Sequence, residues 1–499
     1  MDKLNLTINY FTEEEKTAFR QFLGKTTKEN KDVQLFDLLC EDTDRSDGEI
    51  VSILYQPPNP NAYHSSRVRI RRKLSEFITR RKFEVDKTAR IEVMKEIFAA
   101  EFHLERSSFE GAQIYLKSAR KKAEKYHLVR QIDQINDLEL QYADMLRLNP
   151  VDIIALKEEN QKQIQLATDL ETAYAEIRLM LEEHRRTASM PSGETVISKV
   201  FSNEAMMREA MKSAEFMHKV VTLVRTIAVS SKSYDRFEPY IRDIYNLLKQ
   251  NGSFHPGTEN IEAEILYMIA QAVYRSHRFD EAMTWTDRLK TFFPKKSPSH
   301  HALFPKYILL RAAICSYNDR IDEAIDLLKR TSDEMSKRLL PRASYNMKLN
   351  LSVYYFYLEN YRDANRVLLS INKSDKWIDD NLGREWRFKK ELIGVIYLYE
   401  LNHIDLAEKK INQIQKNFGK FFEEPTYRRA KLFMNFILRI IAEPELIRNT
   451  EFRKEVQSGG LRLAGSLEDI QAITFFCWLK SKFLGRKYYE VLRETVTAL

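Results

Sequence analysis

The chain has 499 residues, 43% hydrophobic and 30% charged, with 80 Lys and Arg against 72 Asp and Glu for a formal net charge of +8. That balance is typical of a folded chain long enough for several cores, and it excludes a disordered or collagen-like polymer. Only 13 Gly and 13 Pro occur, too few for the tight turns of a sheet protein, so long helices and an all-α fold are expected. The three cysteines, Cys40, Cys315 and Cys477, form no CxxC pair and read as small buried thiols in a reducing compartment. The most apolar stretch, "KLFMNFILRIIAEPEL", carries Arg439 and stops at Pro444, so no membrane span is expected. No basic-then-apolar leader is read at the start of the chain, and the Asn5 sequon then carries no meaning. The expected location is cytoplasmic.

Residues 1–86 read as a polar helical head, broken by turn signals at "CEDTDRSDGE" and "YQPPNPNAYHSS". Within it, "FLGKTTKEN" holds the tail of a phosphate loop, Gly24-Lys25-Thr26, but Phe19 stands where that loop needs its first glycine. Gly24 is therefore read as a helix C-cap. The head ends in "RVRIRRKLSEFITRRK", Arg67 to Lys82, which has eight basic residues against one acid, Glu76, for a net of +7. Ile70, Leu74, Phe77 and Ile78 form its apolar stripe. Arg67, Arg69, Arg71, Arg72, Arg80 and Arg81 surround that stripe as candidates for an anionic partner.

Residues 87–190 are expected to hold helical hairpins followed by a long helix, 151–190, with Leu156, Ile164, Leu170, Ile177 and Leu181 on its apolar face. "TASMPSGE" reads as a linker, and residues 201–250 as a further helix pair with Tyr234 at its turn. From 255 onward one phrase recurs: an aromatic or branched residue, a mostly charged pair, then Ala. Phe279 leads to Ala282, Ile321 to Ala324, Tyr361 to Ala364 and Ile404 to Ala407, and Phe109 leads to Ala112 earlier in the chain. The four C-terminal alanines are 42, 40 and 43 residues apart, a spacing typical of repeat proteins. A second small residue stands twelve positions upstream: Ala270, Ala312, Ser352 and Ala100, with Val395 beside Gly394 in the last repeat. Small residues before and after a turn let two helix axes cross closely. Leu116, Leu328, Leu368 and Ile411 extend the same face by one turn, while Thr286 departs from it. Pro294 ends one second helix. "SLEDIQAITFFCWLKSKFLGRKYYEVL" reads as amphipathic capping helices at the C-terminal end of the region 201–499.

These paired small residues, the aromatic before the turn and the apolar residue after it resemble tetratricopeptide (TPR) repeats over about residues 87–148 and 255–420. The period exceeds the ~34 residues usual for that family, and Leu266, Ile308, Lys348 and Glu391 stand where its leading Trp belongs. HEAT-like pairs fit the period better and the paired small residues less well. The resemblance implies a TPR-like helical-hairpin solenoid in which the first helix of each pair lines a concave groove. At the corresponding positions stand Tyr274, Arg275, Tyr317, Phe356, Tyr357 and Tyr399, candidates either for a partner-binding ladder or for core packing. The family's carboxylate-clamp pattern is missing: Tyr267, Leu309, Leu349 and Leu392 replace its Lys, and Gln271, Ala313, Val353 and Ile396 its Asn.

Nothing in the sequence carries catalytic chemistry. There is no GxSxG, HExxH or GxGxxG, and His300 and His301 in "SPSHHALF" lack neighbouring ligand residues. No enzyme, cofactor or metal is expected. The expected function is a protein-protein interaction scaffold binding a protein or peptide segment. The alternative is a nucleic-acid-associated regulator touching phosphate through the basic helix 67–82.

Overall fold

The structure, a computed structural model, describes residues 4, 7–8, 11, 13–24, 30–41, 46–187, 208, 210–231, 234–293, 302–334, 341–423, 425–458 and 470–498. Readings at Lys25, Thr26, Pro294, His300, His301 and "TASMPSGE" fall outside these residues. Among the described residues every regular element is helical. The chain divides into two compact units, Met1–Asn160 and Gln161–Leu499.

The first unit holds two separate apolar cores. The head comprises α1 (Glu13–Leu23), α2 (Lys31–Glu41), α3 (Asp47–Leu54) and α4 (Pro60–Val85). Gly24 follows α1 at φ +117°, a backbone open to glycine and strained for other residues. Ser46 and Glu49 form a reciprocal capping box on α3, and Asn59 caps α4 ahead of Pro60. The phenylalanines interlock: Phe19 lies 5.1 Å from Phe36 and 5.2 Å from Phe77, centroid to centroid, and such edge and tilted contacts add to their burial. Ile70, Leu74 and Phe77 are buried as expected, but Ile78 is 42% exposed, because it sits about 100° around the helix from Phe77. The second core is built from α5 (Ala89–Leu104), α6 (Phe109–Lys125) and α7 (Val129–Gln141).

α8 (Pro150–Thr187) begins in the first unit and continues into the second. Leu170 and Ile177 are buried on it, but Leu156 is exposed; the side chain of Leu181 is not among those described. One continuous core then serves α9 (Ala214–Ser231), α10 (Tyr234–Gln250), α11 (Glu259–Arg275), α12 (Phe279–Lys290), α13 (Phe304–Tyr317), α14 (Ile321–Glu334), α15 (Pro341–Tyr357) and α16 (Tyr361–Leu369). It continues through α18 (Arg384–Glu400), α19 (Ile404–Asn417), α20 (Pro425–Ala442), α21 (Thr450–Ser458), α22 (Ile470–Leu484) and α23 (Tyr488–Thr497), while the short α17 (Asp375–Asn381) precedes α18 outside this core.

The recurring phrase is the signature of a recurring turn. Ser107, His277, Asp319, Glu359 and Asn402 all lie at φ between +56° and +61°. The amide after each one donates to the carbonyl five residues earlier: Ser108 to His103, Arg278 to Val273, Arg320 to Cys315, Asn360 to Tyr355 and His403 to Leu398, at 2.9–3.2 Å. This is a Schellman-type closure of the first helix, built without glycine. Two residues on, the aromatic or branched residue opens the second helix. Five residues on, the Ala amide donates to the residue before that opening, as Ala282 does to Arg278 and Ala324 to Arg320. The small pairs meet at zero exposure: Ala270 and Ala282, Ala312 and Ala324, Ser352 and Ala364, Ala100 and Ala112. Ser352 Oγ donates to Ala364 O at 2.9 Å across the crossing. Thr286 fits the same face by donating to Met283 O at 2.8 Å.

Two substitutions test this turn and its crossing. Ala324→Leu overfills a closed crossing and is expected to cost ~1–3 kcal/mol, read as a lower urea midpoint; an unchanged midpoint would contradict the crossing. Glu359→Val puts a β-branched residue at φ +59° and should cost ~1–2 kcal/mol, whereas Glu359→Gly should leave the midpoint unchanged or raised.

Candidate functional site

The shared turn places side chains in two equivalent rows. Three residues before each left-handed residue stand Tyr274, Ser316, Phe356 and Tyr399; two residues before it stand Arg275, Tyr317, Tyr357 and Glu400. All of these lie at the C-terminal ends of the first helices, α11, α13, α15 and α18. The six expected groove residues thus occupy equivalent positions; Tyr274, Arg275, Tyr317, Phe356 and Tyr357 line one cavity, and Tyr399 packs on Trp478 instead.

They are not an open ladder. Tyr317, Phe356 and Tyr357 are buried, and Tyr274, Arg275 and Tyr399 are half-buried. Some of this cover is mutual: Tyr274 and Tyr317 pack 6.2 Å apart, and Phe279 stacks on Tyr317 at 4.9 Å. Arg275 lies over the Tyr234 ring at 5.8 Å.

The rest of the cover comes from the C-terminal helices, which also pack on α20 and α21 through Phe433–Phe475 and Phe452–Phe483. Tyr488 packs on Phe356 at 5.4 Å and on Tyr357 at 5.6 Å, and Tyr489 stacks on Tyr357 at 5.4 Å. Trp478 meets Tyr399 edge to face at 5.4 Å and donates its indole N–H to Glu400 at 2.6 Å. Lys482 donates to the other Glu400 oxygen at 2.7 Å. The Tyr489 hydroxyl donates to the Ser316 carbonyl, and Arg493 donates to Asp319 at 2.5 Å. The hairpin α22–α23 thus touches the two rows and one of the turns between them. Its cations face Asp319, Glu400 and the negative ends of helix dipoles, a complementary arrangement.

The fit leaves space. A cavity of about 680 Å³ lies between the hairpin, which contributes Phe475 and Trp478, and the inner helices, which contribute Tyr274, Asn346, Asn350 and Trp386. Asn346 is held by the Trp386 indole N–H at 2.8 Å and by its own helix, since Asn350 Nδ2 donates to the Asn346 carbonyl.

Burial pushes the hydroxyls of Tyr317, Tyr354 and Tyr488 well above the ordinary phenol range, with neighbouring phenols adding to the effect. The Tyr489 hydroxyl, at the edge, is pushed up to about 12 by partial burial. Burial likewise raises the thiols of Cys315 and Cys477 to about 11, which leaves them protonated and weakly nucleophilic at neutral pH. Among the described residues no group of three or more His, Cys, Asp or Glu is placed to hold a metal ion.

The second candidate, the arginines of α4, divides between internal and external roles. Arg69 makes a two-pronged contact with the buried Asp32, at 2.9 and 3.1 Å, and its pKa is raised by that hydrogen bond. Arg67 pairs with Asp47 at 3.0 Å and lies over the Tyr63 ring, and burial lowers its pKa. These two brace the head. Arg72 pairs with Glu76 and Arg80 with Glu84 along the helix surface, contacts worth a few tenths of a kcal/mol. Arg71 and Arg81 have no ion-pair partner among the described residues.

Sequence reasoning placed the groove residues but missed Trp478, Tyr488, Tyr489 and Arg493. The signal was the paired aromatics of "KYYEVLRET" on a short, otherwise polar helix. No family model matches the chain, and neither a curated protein nor a solved structure matches it significantly.

The buried phenols predict alkaline sensitivity. Their folded pKa lies above the unfolded value of about 10, so their contribution is intact below pH ~10 and is lost as pH rises beyond it. The unfolding free energy from guanidinium titration is expected to stay flat to about pH 10 and then to fall by up to roughly 1.4 kcal/mol per pH unit for each buried hydroxyl. Tyr317→Phe should remove one such contribution and flatten the slope above pH ~10; an unaltered slope would place Tyr317 in water.

Proposed function

We propose that the chain is a non-enzymatic, cytoplasmic interaction scaffold whose hairpins form a TPR-like solenoid. The observation that carries this reading is the row of helix ends, which already engages a helical element through aromatic and charged side chains. A surface built by repetition presents equivalent positions at a regular spacing, and an extended partner segment reads such spacing. The partner is a protein or peptide, with no cofactor.

The test is to purify the tagged full-length chain gently from its native cells and to map cross-links. A protein partner retained through gel filtration and cross-linked to residues 274–400 is the expected result. A chain that runs alone after cross-linking contradicts the reading.

The alternative, a nucleic-acid-associated regulator, rests on the basic surface of α4. Against it, Arg67 and Arg69 are committed to Asp47 and Asp32 inside the head. Titration of duplex DNA and of RNA at low salt is expected to show no binding. A log–log salt slope of roughly −3 or steeper, flattened by Arg71→Gln with Arg81→Gln, would favour the alternative.

A further inference from the structure

We infer that the half-open cavity between α22 and the inner helices is a site for a small planar heteroaromatic anion, with the edge of its ring on Asn346 and Asn350 and its acidic group at Arg342. The inference goes beyond the scaffold reading and does not depend on it.

Three observations carry it. The first is the enclosure. The cavity holds about 680 Å³, and sites that take one small molecule usually hold ~300–1,000 Å³. Tyr274, Trp386, Phe475 and Trp478 contribute rings to its wall, and flat aromatic ligands pack well against such rings. The second is a pair of amides with bonding capacity left over. Arg342, Asn346 and Asn350 stand one helical turn apart on α15, and all three line the cavity. An indole N–H can only donate, so the bond from Trp386 at 2.8 Å fixes the Asn346 side-chain oxygen and leaves the Asn346 NH2 group over. Asn350 spends its NH2 group on the Asn346 carbonyl at 2.8 Å and keeps its side-chain oxygen. Neither remaining group has a partner among the described residues. A donor and an acceptor one turn apart match the C=O and N–H of a ring amide. The third observation is charge. Arg275, Arg342, Arg384 and Lys389 line the cavity against Asp380 and Glu385, four cations to two acids. A further acid, Asp379, is neutralised by Arg387, which bonds it at 2.7 and 2.8 Å from outside the lining. Arg342 is exposed and has no ion-pair partner among the described residues. Its guanidinium fork suits a phosphate or a carboxylate.

Flavin mononucleotide is the probe, because it joins a flat ring with an amide edge to a phosphate. Riboflavin is the same ring without the charge. Each is titrated with the full-length chain and followed by the quenching of flavin fluorescence that stacking on aromatic side chains produces. The chain is expected to bind flavin mononucleotide saturably at one site, and riboflavin about fivefold more weakly. Arg342→Glu should weaken flavin mononucleotide at least to the level of riboflavin and leave riboflavin unchanged, which places the phosphate at Arg342. Asn350→Leu should weaken both ligands by about fivefold. Absence of saturable quenching, equal binding of the two flavins, or an Arg342→Glu chain that binds flavin mononucleotide as tightly as the natural chain overturns the inference. So does a folded Asn350→Leu chain that binds both ligands unchanged. Should Asn350→Leu lose its helical circular dichroism, Arg342→Glu decides alone, because its side chain is exposed. Failure here leaves the cross-linking test of the scaffold reading unaffected, because that test reports protein partners and not small molecules.

Discussion

At each repeated turn the amide after a left-handed residue reaches back to a carbonyl five residues earlier, and the chain leaves its first helix in one set direction. Ser107, His277, Asp319, Glu359 and Asn402 share that backbone to within a few degrees of φ. The rest of the second unit's architecture follows from it. Because the turn geometry repeats, Ala112, Ala282, Ala324 and Ala364, five residues on, are each buried together with a small residue twelve positions upstream, while Ala407 is paired with Val395. Ala282, Ala324, Ala364 and Ala407 have no exposed surface at all. None of the turn residues is glycine, so each turn carries some backbone strain that the buried crossing beneath it offsets.

The same constraint determines which side chains come together. Residues two and three places ahead of the turn necessarily line up from one hairpin to the next, which is why Tyr274, Ser316, Phe356 and Tyr399 form one row and Arg275, Tyr317, Tyr357 and Glu400 another. The variation within a row is what gives it chemistry. Ser316 leaves its backbone carbonyl accessible to Tyr489, where an aromatic would have covered it. Glu400 replaces an aromatic with an acceptor for Trp478 and Lys482. Neighbouring turns are also tied laterally, as when Asn318 donates to Asp280 at 3.0 Å.

Electrostatics separates the two basic regions of the chain. In the head, the excess of arginine on α4 is partly structural, since Asp32 is buried and requires the charge of Arg69. At the C-terminal hairpin, Arg493 and Lys482 instead sit against Asp319 and Glu400 at the dipole-negative ends of α13 and α18. Charge on α4 therefore bears on the folding of the head, whereas charge on α22 and α23 bears on what the inner face holds.

The helical class, the small residues flanking the recurring left-handed turn and the aromatic positions ahead of it were all legible in the sequence. Each is a short-range property: composition, a period, or a spacing of a few residues that one helix turn explains. Ile78 and Leu156 went astray because an apolar residue on a helix does not reveal whether another element arrives to cover it. The double role of the α4 arginines was hidden for the same reason, because Asp32 lies 37 residues from Arg69. The state of the inner face was decided by tertiary structure alone. Tyr489 and Arg493 find partners 173 and 174 residues away, and no local pattern encodes a contact of that range. The sequence determined a row of aromatic helix ends; only the folded chain determined that its own last helices lie upon it, because that depends on where α22 and α23 are delivered after all the hairpins before them have packed.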